Sequence, residues 1–181
     1  LVVFEAIYSG LVYCKPCSVL PIFSTLIISQ MSKSSHEALR LVKHTFAALT
    51  RCDVNDALRY MAPNIDYVVN VDPQIAPFVA STSGIPELRA RLELLFDTFT
   101  IETFDAKNFR ISDDDPSIAR VNVSYAYREK TTSVLLDGRF RCVIHIDDGL
   151  IAQVEEFHDS SYIEAFARLI QMMRKSSNGR S

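Results

Sequence analysis

Residues 118–129 read IARVNVSYAYRE, residues 139–146 RFRCVIHI, and residues 150–157 LIAQVEEF. The first two stretches alternate apolar with polar, the period of a strand buried on one face. Val121, Val123, Tyr125 and Tyr127 share one face of the first. Arg120, Asn122, Ser124 and Arg128 share the other, which must be solvated or form a subunit interface. Phe140, Cys142, Ile144 and Ile146 repeat the pattern in the second. Asp147-Asp148-Gly149 turns the chain into the third, and Asp137-Gly138 suits a tight turn between the first two. Upstream, residues 103–112 add a strand, joined to 118–130 through Asp113-Asp114-Asp115-Pro116.

Outward from this block the period changes to that of helices. Leu39, Val42, Phe46 and Leu49 mark a first helix, with Ser34 and Glu37 placed for a capping box at its start. Asp53 caps a short second helix carrying Val54, Ala57, Leu58 and Met61, which Pro63 ends. Ile65 to Val71 alternates as a strand, closed by Asp72-Pro73. A third helix opens at Ser83-Gly84 with Pro86 in its first turn, and buries Leu88, Leu92, Leu95, Phe96 and Phe99. A short closing helix starts near Ser161, boxed with Glu164, and Asp159 also stands where a cap is needed. Helices followed by hairpin-linked strands predict an α+β domain, not a parallel sheet. Three N-terminal helices on one face of a curved antiparallel (mixed) sheet, with a short C-terminal helix, would enclose a cone open at one end.

The domain is expected to span residues 31–175. Residues 1–30 are read as an extension outside it, because their apolar run has no regular period and Met31-Ser32-Lys33 resembles a translation start. Residues 176–181 read as a polar tail. Cys14-Lys15-Pro16-Cys17 has the spacing of a redox motif but no amphipathic helix behind it, so chance explains it better.

The net charge of −3 and the lack of a basic run argue against nucleic acid or an anionic membrane as partner. No His/Asp/Glu set has metal-ligand spacing, and with 5 Gly no loop cradles phosphate, so no metal and no cofactor is expected. Cys52 and Cys142 read as free, reduced residues in apolar surroundings, which suits a cytoplasmic protein.

The order of elements, with its residues, resembles the SnoaL-like branch of the nuclear-transport-factor-2-like superfamily. Phe46 to Leu49 followed by Asp53 to Met61, Tyr67 to Pro73 followed by Gly84, and Asp148 to Ile151 followed by Glu155 to Asp159 carry the likeness. That superfamily includes ketosteroid isomerase, limonene epoxide hydrolase and scytalone dehydratase. The resemblance implies a cofactor-independent pocket for a small hydrophobic molecule and a homodimer. If catalytic, such a pocket would isomerise, cyclise or dehydrate by acid–base chemistry. The alternative is a non-catalytic binding or dimerisation module. Val71-Asp72-Pro73 is similar to the isomerase segment bearing the general base, and Tyr67 matches a catalytic tyrosine of the dehydratase. The isomerase's two oxyanion donors fall at Thr45 and near Cys142, so they are replaced.

The site expected from sequence therefore has Asp72 as base, His158 as acid or second base and Tyr67 as hydroxyl donor, with Tyr60, Phe78, Phe96, Tyr125 and Cys142 lining the pocket. Each has a plainer reading. Asp72 can accept turn hydrogen bonds at a strand end. His158 can be a satisfied structural histidine, and the aromatics can be core.

Overall fold

The computed structural model describes residues 20–178, with side chains from 35 to 176. Helix α1 spans Leu20–Thr50 and α2 Val54–Leu58; strand β1 spans Met61–Val69. A 3₁₀ turn at Pro77–Val79 and the two-residue strand β2, Thr82–Ser83, lead into α3, Ile85–Thr98. Four long strands follow: β3 Phe99–Ile111, β4 Ile118–Glu129, β5 Leu135–Asp147 and β6 Leu150–Phe157. Helix α4, Ser160–Asn178, closes the described chain.

The strands form one sheet in the order β2-β1-β6-β5-β4-β3. β3 to β6 pair antiparallel with their chain neighbours, as hairpins require, while β1 runs parallel to β6. Register shifts in β3, between Ile101 and Thr103 and between Lys107 and Arg110, bend this edge. The alternation predicted from sequence holds: Val121, Val123, Tyr125, Tyr127, Phe140, Cys142 and Ile144 are buried on the inner face, and the residues between them face away. Phe46 of α1 stacks on Phe104, and Phe78 meets Phe99 edge-on with ring centroids 4.9 Å apart. Each such side chain contributes about 1.5–3 kcal/mol of burial.

Several expected boundaries move. α1 spans Leu20–Thr50, so Ser34 lies inside the helix rather than at its start. Pro21 sits in the first turn, where proline is harmless, and no breaker follows before Thr50. The Cys14–Cys17 spacing lies outside the described residues. α2 does take Asp53 as its cap, the carboxylate accepting from the Asp56 N–H at 3.0 Å. Met61 belongs to β1 rather than to α2, and Pro63 lies inside the strand where its register against β6 shifts. Gly84 opens α3 at φ 80, a conformation that favours glycine. Asp159, not Ser161, caps α4: its side chain accepts from the Tyr162 N–H at 3.1 Å. α4 has 19 residues and runs through Lys175, so it is longer than expected.

Asp137-Gly138 is not a turn. Both residues lie within β5, and the chain reverses at residues 130–134 instead. Gly138 pairs with Tyr125, and a Cβ on it would sit 2.8 Å from the tyrosine Oη. The glycine makes room for an aromatic ring across the strand pair, which a turn-seeking pattern misreads.

Candidate functional site

Three elements bring polar groups into the core. On α3 the buried stripe runs Leu88, Arg91, Leu92, Leu95, so helical spacing carries Arg91 inward with the leucines. On β6 alternation places Glu156 on the inner face with Val154, flanked by β1 and β5. Tyr67 on β1 stands beside it. The Tyr67 hydroxyl donates to Glu156 Oε1 at 2.5 Å. Arg91 Nη2 donates to Glu156 Oε2 at 3.1 Å, while its guanidinium lies 4.5 Å from the Tyr67 ring centroid. The side chains of Arg91 and Glu156 are 5% and 8% exposed, so the pair is one of the buried kind.

His158 follows β6 by one residue and is fixed at its backbone. Its N–H donates to Asn70 Oδ1 at 2.8 Å, and Asn70 Nδ2 donates back to its carbonyl at 2.9 Å. The ring stacks on Phe140 with centroids 4.4 Å apart, and Nε2 lies 3.1 Å from Glu156 Oε2. An ionised carboxylate only accepts, so Nε2 carries the proton and Nδ1 of the neutral ring is a bare lone pair. Nδ1 of His158 and Nε of Arg91 are both buried with no partner among the described residues.

Burial works against ionisation of Glu156. The Arg91 charge, the His158 hydrogen bond and charge, and the Tyr67 hydroxyl outweigh it, and the carboxyl is held at about 2. Tyr67 is pushed well up, by burial first and then by the Glu156 charge; burial does the same to Tyr127 and Cys142. The hydroxyls and the thiol therefore stay protonated.

Above this cluster is a cavity of about 40 Å³, lined by Leu49, Phe96, Ile101, Phe104, Tyr127 and Phe140 around Arg91, Glu156 and His158. It has room for ordered water, and Phe96 and Phe104 in its wall are only half-buried.

A family model for the SnoaL-like domain matches residues 42–154. The chain belongs to the SnoaL-like domain family. Solved structures agree on the fold. An NTF2-like protein of unknown function from Burkholderia pseudomallei superposes with a TM-score of 0.61 at 14% identity, over 69% of this chain and 92% of that one. TerC, co-crystallised with polyporic acid, gives 0.62 at 14% identity over 75% and 98%. A protein provisionally assigned as a polyketide cyclase from Xanthomonas campestris pv. campestris gives 0.57 at 14% identity over 72% and 98%. Among proteins of curated function none matches this sequence.

Of the residues singled out by sequence, the SnoaL-like fold brings Tyr67, His158 and Phe96 to this cavity. Tyr125 packs behind His158, ring centroids 6.2 Å apart, and Cys142 is buried beneath the cluster beside Glu156 in the strand register. Phe78 is core, against Phe99. Tyr60 lies in a separate groove between α1 and the β5–β6 turn, edge-on to His44 at 5.1 Å. Asp72 is exposed: Oδ1 accepts from the Gln74 N–H at 2.8 Å and its carbonyl from Ala76, the plainer of its two readings. Cys52 is exposed at φ 55 after α1, not in apolar surroundings; Cys142 is buried, and both are free. Sequence reasoning missed Arg91 and Glu156. The signal was there, since each interrupts an apolar face at its proper period with a charge, and the two charges are opposite. Among the described residues no cluster of ligands could hold a metal, and no helix is long and apolar enough to cross a membrane.

Proposed function

We propose that this SnoaL-like domain binds a small, mostly apolar molecule and performs cofactor-independent acid–base chemistry on it, at a carbonyl, enol or hydroxyl group. The carrying observation is His158, buried, with Nε2 on the Glu156 carboxylate and Nδ1 unpartnered beside an apolar cavity. Glu156 orients the imidazole and stabilises it once it takes a proton, the logic of an orienting carboxylate behind a base. Nδ1 would remove a proton next to the carbonyl. The Arg91 Nε–H would donate to the oxygen on which charge develops. Returning the proton to another carbon isomerises the substrate; loss of a β-hydroxyl dehydrates it. Asp72, the base expected from sequence, has no place in this scheme. The names of two structural neighbours, one a provisional polyketide cyclase and one crystallised with polyporic acid, support a small-molecule ligand.

A second reading, a non-catalytic binding module, is favoured by the narrowness of the 40 Å³ cavity. Proton exchange separates the two. A panel of enolisable aromatic ketones, 2-tetralone among them, is incubated with the protein in D₂O and followed by proton NMR. The catalytic reading expects loss of the α-proton signal with the wild type and with Asp72→Asn, and a rate lower by about 100-fold or more for His158→Gln. Ketones that bind in saturation-transfer spectra without exchanging would establish the binding module. The homodimer implied by the resemblance is a separate question, read by sedimentation.

A further inference from the structure

Tyr127 is a buried phenol that the catalytic scheme leaves unused. It stands on the inner face of β4, opposite Ile101 on β3 and Leu136 on β5, and is 7% exposed. Aromatic neighbours fix its ring, with the Tyr125 centroid 4.8 Å away and that of Phe99 6.1 Å. A buried tyrosine hydroxyl ordinarily finds a partner. The Tyr67 hydroxyl does so, on Glu156. The Tyr127 hydroxyl makes no hydrogen bond to any described residue, and the residue lines the same cavity as Arg91, Glu156 and His158. Unlike Arg91 Nε and His158 Nδ1, its oxygen is not fully enclosed, so open space reaches it. Burial, and then the Glu156 charge, push this hydroxyl well up, while the Arg91 charge pulls it down. The proton stays on the phenol, which can donate a hydrogen bond but cannot serve as a base.

We propose that Tyr127 is a catalytic hydrogen-bond donor which, with Arg91, holds the carbonyl oxygen of a ketone substrate as charge develops on it. The inference rests on the catalytic reading above. A space of 40 Å³ holds about one or two water molecules, so an oxygen inside it lies close to every wall. Two donors on those walls lack a partner, the Arg91 Nε–H and the Tyr127 O–H, and a carbonyl oxygen has a lone pair for each. His158 Nδ1 takes the proton from the adjacent carbon, the C–H electron pair becomes the C=C bond of the enolate, and the carbonyl π pair settles on oxygen. Tyr127 and Arg91 donate to that oxygen and keep their own protons. The places where the isomerase resemblance would put such donors are taken: the Thr45 hydroxyl donates to the Leu41 carbonyl at 3.2 Å, and the Cys142 side chain is buried beneath the cluster. The donors come instead from α3 and β4.

The test uses the full chain carrying Tyr127→Phe and the same ketone panel, 2-tetralone included, in D₂O. The variant keeps the ring and removes a hydroxyl without a described partner, so its urea midpoint is expected to match wild type. Its kcat for exchange is expected to fall about 100-fold with KM within about twofold, because the hydrogen bond strengthens only as charge develops. 2-Naphthol, a mimic of the 2-tetralone enol, is expected to bind the variant about tenfold more weakly, and 2-tetralone itself about equally. Exchange by Tyr127→Phe within about threefold of wild type, while His158→Gln loses it, overturns the role of Tyr127 and leaves the catalytic reading standing. A raised KM at unchanged kcat overturns it too, since the hydroxyl would then only bind. A lowered urea midpoint overturns it as well, because the hydroxyl would be held by the protein. No exchange of any ketone by the wild type overturns the catalytic reading and the role of Tyr127 with it.

Discussion

The two faces of the sheet use arginine in opposite ways. Inside, Arg91 is 6% exposed and bound to Glu156, itself joined to Tyr67 and His158. Outside, Arg110, Arg120, Arg139 and Arg141 are exposed and unmatched. Burial explains the first, since a desolvated guanidinium without a counter-charge costs several kcal/mol. Water explains the second, since a solvated guanidinium needs no partner. Polar groups on the inner face are therefore interdependent, whereas these four outer arginines hold no described side chain in place.

The largest expected effect breaks the inner pair. Glu156→Gln leaves Arg91 buried without a counter-charge and should cost about 3–5 kcal/mol in urea unfolding. Replacing both, with Arg91→Met and Glu156→Leu, should recover most of that loss. A single replacement that unfolds at the wild-type midpoint would show that water reaches the pair.

Acid should reproduce part of the same effect. The Glu156 carboxyl is held at about 2 in the folded chain against an ordinary 4.5, so the folded state binds fewer protons between these values. Its contribution is complete above about pH 4.5 and is lost as pH falls toward 2, on the order of 3 kcal/mol. The Arg91→Met, Glu156→Leu protein should lack this part of the pH dependence, which parallel urea melts from pH 5 downward would measure.

A smaller effect belongs to packing on the inner face. Gly138→Ala drives a Cβ against the Tyr125 ring and should cost about 1–3 kcal/mol by thermal unfolding. The same substitution beside Tyr125→Leu should cost less, because the ring has gone. Smallest of all, Arg141→Ser on the outer face should stay within about 0.5 kcal/mol of wild type. A larger loss would mean that the outer face is not independent after all.

Much of this fold was legible in the residues. Strict alternation in 118–129 and 139–146 identified two long strands and their inner faces, because a half-buried strand permits no other order. Pro86 after Gly84 marked the start of α3, and Asp53 the start of α2. Errors fell where a local signal had a non-local cause. Gly138 resembles a turn residue yet serves the ring of Tyr125 on the next strand. Ser34 resembles a cap, but nothing before it breaks a helix that begins at Leu20. For the candidate site, Tyr67 and His158 were legible as chemical types and Asp72 as a bearer of charge. Only the pairing tells that Asp72 serves its own turn.

The sequence by itself determined the period of each element, and with it which side chains face inward. That is local physics, set by the rise and turn of a strand or helix. The tertiary structure alone decided which inward charges meet and which outward charges stand together. Arg91 and Glu156 are 65 residues apart, and they meet because α3 packs on β1, the strand that runs beside β6. Arg110, Arg120 and Arg141 never form a run in the chain; strand register collects them into one patch. Long-range pairing has no signature in a local window, and here it carries the candidate site.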